Sequence, residues 1–452
     1  MKLRTKRIVA LAAAAFVLLV GIYCLLRFGF SVDVLDRSGW STRGDAVRYL
    51  DYFGRPQLKW QYIDNRLYYF SPDDGNMVTG WQTVDGHTYY FGNDGVRASG
   101  WIQVDGKTFY LGADGKAVTG KQTIDKETYY FSHNGQMATG WQTVDGKRYY
   151  FSPEGKTVSG MQTVDGKHYC FAQDGQVLTG WVTLDGARYC FAEDGAAVTG
   201  WLEEADGKVF LDETGRVHTG WLDWEGKRYY FDDAGKMTTG WLTLEQDRYY
   251  LREDGVMAVG EMKIDGETHF FTSTGKKLLV VNVKNPVPAD YQLDLVDIEG
   301  FEIDRSCRDA LENMLIACRN AGYVCKINNT YRSKATQQYM WNKSVSKYMA
   351  DGMTYEQACA ETGKDTMPAG HSEHQTGLAV DITGSQLMYQ WLAENCWDYG
   401  FILRYPQDHT SATGIIYEPW HFRYVGTELS LELEELGFCL EEYMANLTNK
   451  TE

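Results

Sequence analysis

Val144-Asp145-Gly146-Lys147-Arg148-Tyr149-Tyr150-Phe151-Ser152-Pro153-Glu154-Gly155-Lys156 reads as a turn, a returning strand and a second turn. Asp145-Gly146 between apolar runs is a strong hairpin signal, because glycine supplies the positive φ such a turn needs. The unit recurs. Gly95, Gly115, Gly135, Gly155, Gly175, Gly195, Gly215, Gly235, Gly255 and Gly275 fall every 20 residues. Trp40, Trp60, Trp81, Trp101, Trp141, Trp181, Trp201, Trp221 and Trp241 each open a unit, and Lys121, Met161 and Glu261 hold that place in three others. A fixed short period of this kind marks a repeat array. Twelve units are counted, the first degenerate and the last running into the segment that follows. One hairpin cannot bury enough surface to stand alone. Neighbours must share a core, so residues 39–278 are expected to form an all-β hairpin solenoid that touches the rest of the chain only at its end.

Two blocks in the last third carry chemistry. The first is Ser372-Glu373-His374-Gln375-Thr376-Gly377-Leu378-Ala379-Val380-Asp381, and the second is Tyr417-Glu418-Pro419-Trp420-His421-Phe422-Arg423-Tyr424. Two imidazoles and one carboxylate, His374, His421 and Asp381, are a common ligand set for a catalytic Zn2+ that keeps a position open for water. Glu418 is then the carboxylate left over as proton shuttle. Leu378–Ile382 and Tyr417–Val425 read as strands, with a turn at Gly377 folding His374 toward Asp381. Pro419 supplies a bend between Glu418 and His421, whose spacing does not suit a regular strand. His371 is a rival ligand, read as a residue at the rim or behind the metal. Helical periodicity marks Arg305–Ala321, and Ala335–Ala350 and Ser385–Asp398 also look helical. A further strand falls around Val324–Ile327, so residues 279–452 are expected to form an α+β domain built around the zinc site.

These blocks resemble the VanY-type D-alanyl-D-alanine carboxypeptidases, over about Leu278 to Tyr443. The family pattern S-x-H-x-x-G-x-A-x-D is matched by Ser372, His374, Gly377, Ala379 and Asp381, and E-x-W-H by Glu418, Trp420 and His421. A third block, G-Y-R-S followed by Gln, appears as Thr330-Tyr331-Arg332-Ser333 with Gln337, where Thr330 replaces the family's glycine. The resemblance implies Zn2+ on His374, Asp381 and His421, with Glu418 as base. Arg332 and Gln337, helped by Ser372, would hold the free carboxylate of a peptidoglycan stem peptide. A guanidinium fork suits a carboxylate and makes the enzyme an exopeptidase. A D,D-carboxypeptidase, an L,D-carboxypeptidase acting on tetrapeptide stems, and a wall-binding protein with an inactive peptidase-like domain all remain open. The hairpin units resemble the cell-wall-binding repeats of choline-binding and glucan-binding proteins, whose aromatics cage a quaternary ammonium or stack on sugars. The implied partner is a wall glycan or teichoic acid.

Residues 1–28 read as a cytoplasmic basic stub and an anchor. Lys2, Arg4, Lys6 and Arg7 precede the uncharged stretch Ile8–Leu26, 19 residues long. That length spans a bilayer core of about 30 Å, and positive charge before it keeps the N-terminus inside. Residues 29–38 are a linker. A single-pass protein of the bacterial cell membrane, with its bulk outside facing the wall, is the expectation. The net charge of −17 argues against nucleic acid as a partner. Cys24 lies in the anchor, and the other eight cysteines permit disulfides without fixing their pairing.

Overall fold

A computed structural model of the chain describes residues 38–451. The expected membrane helix at residues 8–26 lies outside them. Among the described residues no helix is long and apolar enough to cross a membrane. By packing, the chain divides into two units: residues up to Val198 with Glu213–Gly215, and Thr199–Asp212 with Arg216 onward.

The first unit is built of hairpins of two five-residue strands. Gly140–Val144 pairs antiparallel with Lys147–Phe151, so that Trp141 faces Tyr150 and Val144 faces Lys147. Asp145 and Gly146 both take positive φ, 51° and 76°, as the two-residue turn requires. The second turn ends on Gly155, φ 80°, whose amide donates to the Ser152 carbonyl at 2.8 Å. A Cβ on Gly155 would lie 2.3 Å from the Met137 sulfur. The 20-residue comb thus answers two demands: a left-handed backbone, and a turn seated on the preceding unit. That seat is a hydrogen bond as well, since the Met137 amide donates to the Thr108 carbonyl. Apolar packing closes each step. Trp101 lies edge-on to Tyr110 of its own hairpin and to Tyr129 of the next, with ring centroids 4.9 Å apart in both cases. The first tyrosine of most Tyr-Tyr pairs, such as Tyr68, Tyr89 and Tyr129, is buried, while Tyr69, Tyr90 and Tyr130 are half-exposed.

The second unit opens with the same hairpins, from Gly200 to Phe271, and continues into the α+β domain. The last hairpin gains a third strand at Lys277–Leu278. A four-stranded antiparallel sheet follows, in the order Cys325–Asn329, Ala379–Gly384, His421–Tyr424, Phe401–Leu403. Its core face packs on the amphipathic helix Arg305–Asn320 through Leu311, Met314, Leu315 and Cys318. Asp304 starts that helix by accepting the Ser306 amide. The helices Lys334–Ala350 and Gln386–Asn395 match their expected spans to within a few residues, with a 3-10 turn at Cys396–Tyr399 closing the latter. The expected strand from Tyr417 is shorter: it begins at His421, and the preceding residues form a turn. Pro419 has no N–H to give a ladder and fixes its own φ, so pairing starts only beyond it. The helices Tyr355–Thr362, Thr427–Leu436 and Leu440–Thr451 were not legible as periodic segments.

The junction at 278/279 runs through a shared core. Phe270 and Leu278 of the last hairpin pack with Leu440, Tyr443, Met444 and Leu447 of the C-terminal helix. The Glu261 amide donates to Thr448 Oγ1 at 3.0 Å, and the Ser273 amide to the Tyr443 hydroxyl at 2.9 Å. A chain starting at residue 279 loses both apolar side chains, and deleting one large buried side chain costs about 2–5 kcal/mol. It should melt well below a chain starting at Thr199 when thermal unfolding is followed by circular dichroism. Equal midpoints would show that the hairpin contributes nothing to the peptidase. Cys170, Cys307, Cys318, Cys325, Cys359, Cys396 and Cys439 are free thiols.

Candidate active site

The sheet register builds the first half of the site. Asp381 and His421 are direct cross-strand partners, and Asn329 flanks Asp381 on the other side. His374 arrives from the short 3-10 helix Glu373–Thr376, which ends on Gly377 at φ 75°. A Cβ on Gly377 would meet the Asp304 amide nitrogen at 2.9 Å, so only glycine allows this turn to close against the domain.

His374 Nε2 lies 3.3 Å from Asp381 Oδ2, and His421 Nδ1 lies 3.3 Å from Asp381 Oδ1. The donor atoms of these three buried residues all fall within 4.8 Å of one another. His374 Nε2 and Asp381 Oδ1 are buried without a hydrogen-bond partner. Orphaned polar atoms in a dry site are disfavoured, and a cation satisfies all of them at once. The other nitrogen of His374, Nδ1, sits 2.5 Å from the Thr330 carbonyl oxygen, which fixes the ring and leaves Nε2 as the ligand atom. The donor set, two imidazoles and a carboxylate, fits zinc.

Electrostatics agree. Burial, only partly offset by Asp381, holds His374 below the usual histidine range, so it is neutral and ready to ligate. Burial also acts to lower His421, but the carboxylates of Asp381, Glu373 and Glu418 that face its ring outweigh it and raise the imidazole well above its usual value. Burial acts to raise Asp381, yet the two histidines bring its carboxyl well below the usual range.

Glu418 lies outside the trio. Its Oε2 is 3.4 Å from His421 Nδ1, and the Pro419–Trp420 turn, closed by the His421 amide on the Glu418 carbonyl, brings the two together. Arg332 reaches the same place. Its Nη2 donates to Asp381 Oδ2 at 3.3 Å and its Nη1 to Gln337 Oε1 at 2.9 Å. Gln337 is buried and spends its other amide group on the Met367 carbonyl at 2.6 Å. It therefore braces the Arg332 fork. Ser372 is buried beside His374 and makes no side-chain cap bond. His371 stands away from the trio, with Nδ1 2.9 Å from the Asn282 carbonyl oxygen.

Two neighbours, one of them the Thr330 that departs from the family pattern, have roles the sequence does not show. Thr330, where the family has glycine, is buried, donates Oγ1 to the Glu302 carbonyl, and offers its own carbonyl to His374. Tyr405 packs its ring on His421 with centroids 4.9 Å apart. Neither carries a local sequence signal, since the partners lie outside the same short block. A second trio, His409, Cys439 and Glu442, is also compact. There the Glu442 carboxylate is already taken by His409 at 2.7 Å and by the Cys439 amide at 3.1 Å.

Residues 300–427 match the VanY family, D-alanyl-D-alanine carboxypeptidase. Residues 78–119, 118–159 and 218–259 match the choline-binding repeat. A D-alanyl-D-alanine carboxypeptidase of Enterococcus faecalis is 41% identical over 175 residues, covering 37% of this chain and 65% of the relative. The chain thus spans just under two thirds of that relative's length. A solved structure of a vancomycin-resistance D,D-pentapeptidase VanY mutant in complex with Zn(II) is 39% identical, covering 37% of this chain and 97% of its own, with a TM-score of 0.35. Choline binding protein F from Streptococcus pneumoniae is 26% identical, covering 55% of this chain and 97% of its own, with a TM-score of 0.39. The C-terminal part of the chain is a VanY D-alanyl-D-alanine carboxypeptidase domain, and the hairpins before it are repeats of the choline-binding type.

Proposed function

We propose that the chain is an extracytoplasmic zinc D,D-carboxypeptidase that removes the terminal D-Ala of peptidoglycan stem peptides. Residues 8–26 anchor it in the bacterial cell membrane, and its repeats hold it to the wall. The observation that carries this reading is the buried trio His374, Asp381 and His421 with Glu418 and Arg332 both within reach of it.

Zinc would be held by His374 Nε2, Asp381 and His421 Nδ1, where it supplies Lewis acidity that acidifies water and polarises a carbonyl. Glu418 takes the proton from the attacking water at a carboxylate oxygen and passes it to the nitrogen of the leaving D-Ala. Arg332, pinned by Gln337, presents its fork to the free carboxylate of the last residue. Its buried setting excludes water and strengthens that pairing. Only a chain end satisfies it.

The repeats support wall attachment by their aromatic faces. In the hairpins of Trp141, Trp181, Trp221 and Trp241 an arginine of the same hairpin lies over the ring, 3.8, 4.3, 4.8 and 4.6 Å from the centroid. In those of Trp60, Trp81 and Trp101 the arginine's register position holds Leu67, Thr88 and Thr108. A ring with no arginine over it is one an external cation such as choline fits.

The test of the exopeptidase reading is substrate polarity. Amidating the C-terminus of a stem peptide removes the charge Arg332 pairs with, an interaction of about 1.5–3 kcal/mol. Catalytic efficiency should fall by roughly 10- to 100-fold. Arg332→Lys should also be impaired, because an ammonium has no fork. An amidated peptide cut as fast as the free acid would point to an endopeptidase instead.

A further inference from the structure

We propose that Glu373 is the positioning residue for His421, held in turn by a buried charge chain that ends on the C-terminal helix. The proposal rests on the zinc reading above. Glu373 has no exposed side-chain surface. Its Oε1 is held by Arg404 Nε at 2.8 Å and Arg423 Nη1 at 2.9 Å. Its Oε2 has no hydrogen bond and faces His421 Nε2 at 3.6 Å, a ring nitrogen that is itself buried with no hydrogen-bond partner. Each atom is the complement of the other. His421 Nδ1 points into the metal trio, so Nε2 is the outer nitrogen. A carboxylate on that outer N–H fixes the tautomer and orientation of a ligating imidazole and raises its basicity.

The support for Glu373 comes from far along the chain. Arg404, fully buried, spans from Glu373 to Glu441, which it meets at 2.8 and 2.6 Å. Glu441 stands on the helix Leu440–Thr451 and also accepts from Asn282. That helix is the one packed on the last hairpin. Two arginines and Glu373 are thus placed out of water, with Glu441 partly buried at the end of the chain. A buried ion network of this kind is weak as a stability device, because desolvation offsets its attraction. What it does supply is a fixed carboxylate behind one metal ligand. His374 is supported differently, by the neutral Thr330 carbonyl.

The test uses the full chain. Zinc affinity is measured by competition with a chromophoric chelator, and the cobalt-substituted protein gives a visible spectrum that reports ligand geometry. Glu373→Gln should weaken zinc binding 10- to 100-fold and alter the cobalt spectrum, with kcat falling more than KM changes. Glu373→Asp keeps the charge for both arginines but withdraws it from Nε2, and should weaken zinc while the melting temperature stays near that of the parent. Zinc affinity and cobalt spectrum unchanged in either folded variant would overturn the proposal. A measurement on the unaltered protein decides it without any variant. In the zinc-loaded chain, long-range 15N NMR should show His421 with its proton on Nε2, and a proton on Nδ1 would overturn the assignment. A parent chain that binds no zinc would instead sink the reading on which this rests.

Discussion

Glu418→Gln should lower turnover at least about 100-fold, the low end for general acid–base catalysis, while zinc remains bound. Glutamine keeps the shape of the side chain and cannot accept a proton. Glu418 is buried, 3.4 Å from His421 Nδ1, and stands outside the compact donor trio. Its loss should therefore appear in kcat, with KM nearly unchanged, because substrate is held by Arg332. Metal content by atomic emission settles which role the residue plays. A variant that lost its zinc together with its activity would make Glu418 a ligand, and the assignment of base would have to move.

Stripping the metal with a chelator should abolish cleavage altogether, and added zinc should restore it. Two of the three donor atoms, His374 Nε2 and Asp381 Oδ1, are buried without a hydrogen-bond partner, and a divalent cation is what completes them. Asp381→Asn should behave as the chelated protein does even at neutral pH, since it removes the one negative ligand that bridges the two imidazoles. Full activity in the metal-stripped chain would refute the mechanism.

The repeat array was legible because turn chemistry is local. Asp145-Gly146 announces its hairpin within two residues, and the structure places both at positive φ. The other reason for the glycine comb, the close approach of Gly155 to Met137 one unit back, is a packing fact that a single unit does not display. The metal ligands were legible for a similar reason: each lies in a short block with a fixed spacing. Gln337 was assigned to the substrate, but its amide is committed to Arg332 and Met367, a partner 30 residues on. Glu373 sits inside the quoted block and still passed unnoticed. Its meaning depends on Arg404, Arg423 and Glu441, and no periodicity brings those together. The strand starts at His421 and not at Tyr417 because Pro419 ends the pairing as well as bending the chain.

The most direct test of the account is mass spectrometry of a purified stem pentapeptide after incubation with the zinc-loaded protein. The account predicts loss of a single C-terminal D-Ala, blocked by chelator, with the tetrapeptide product left intact. An uncut pentapeptide, removal of a residue from the tetrapeptide in its place, or a cut inside the stem would contradict it.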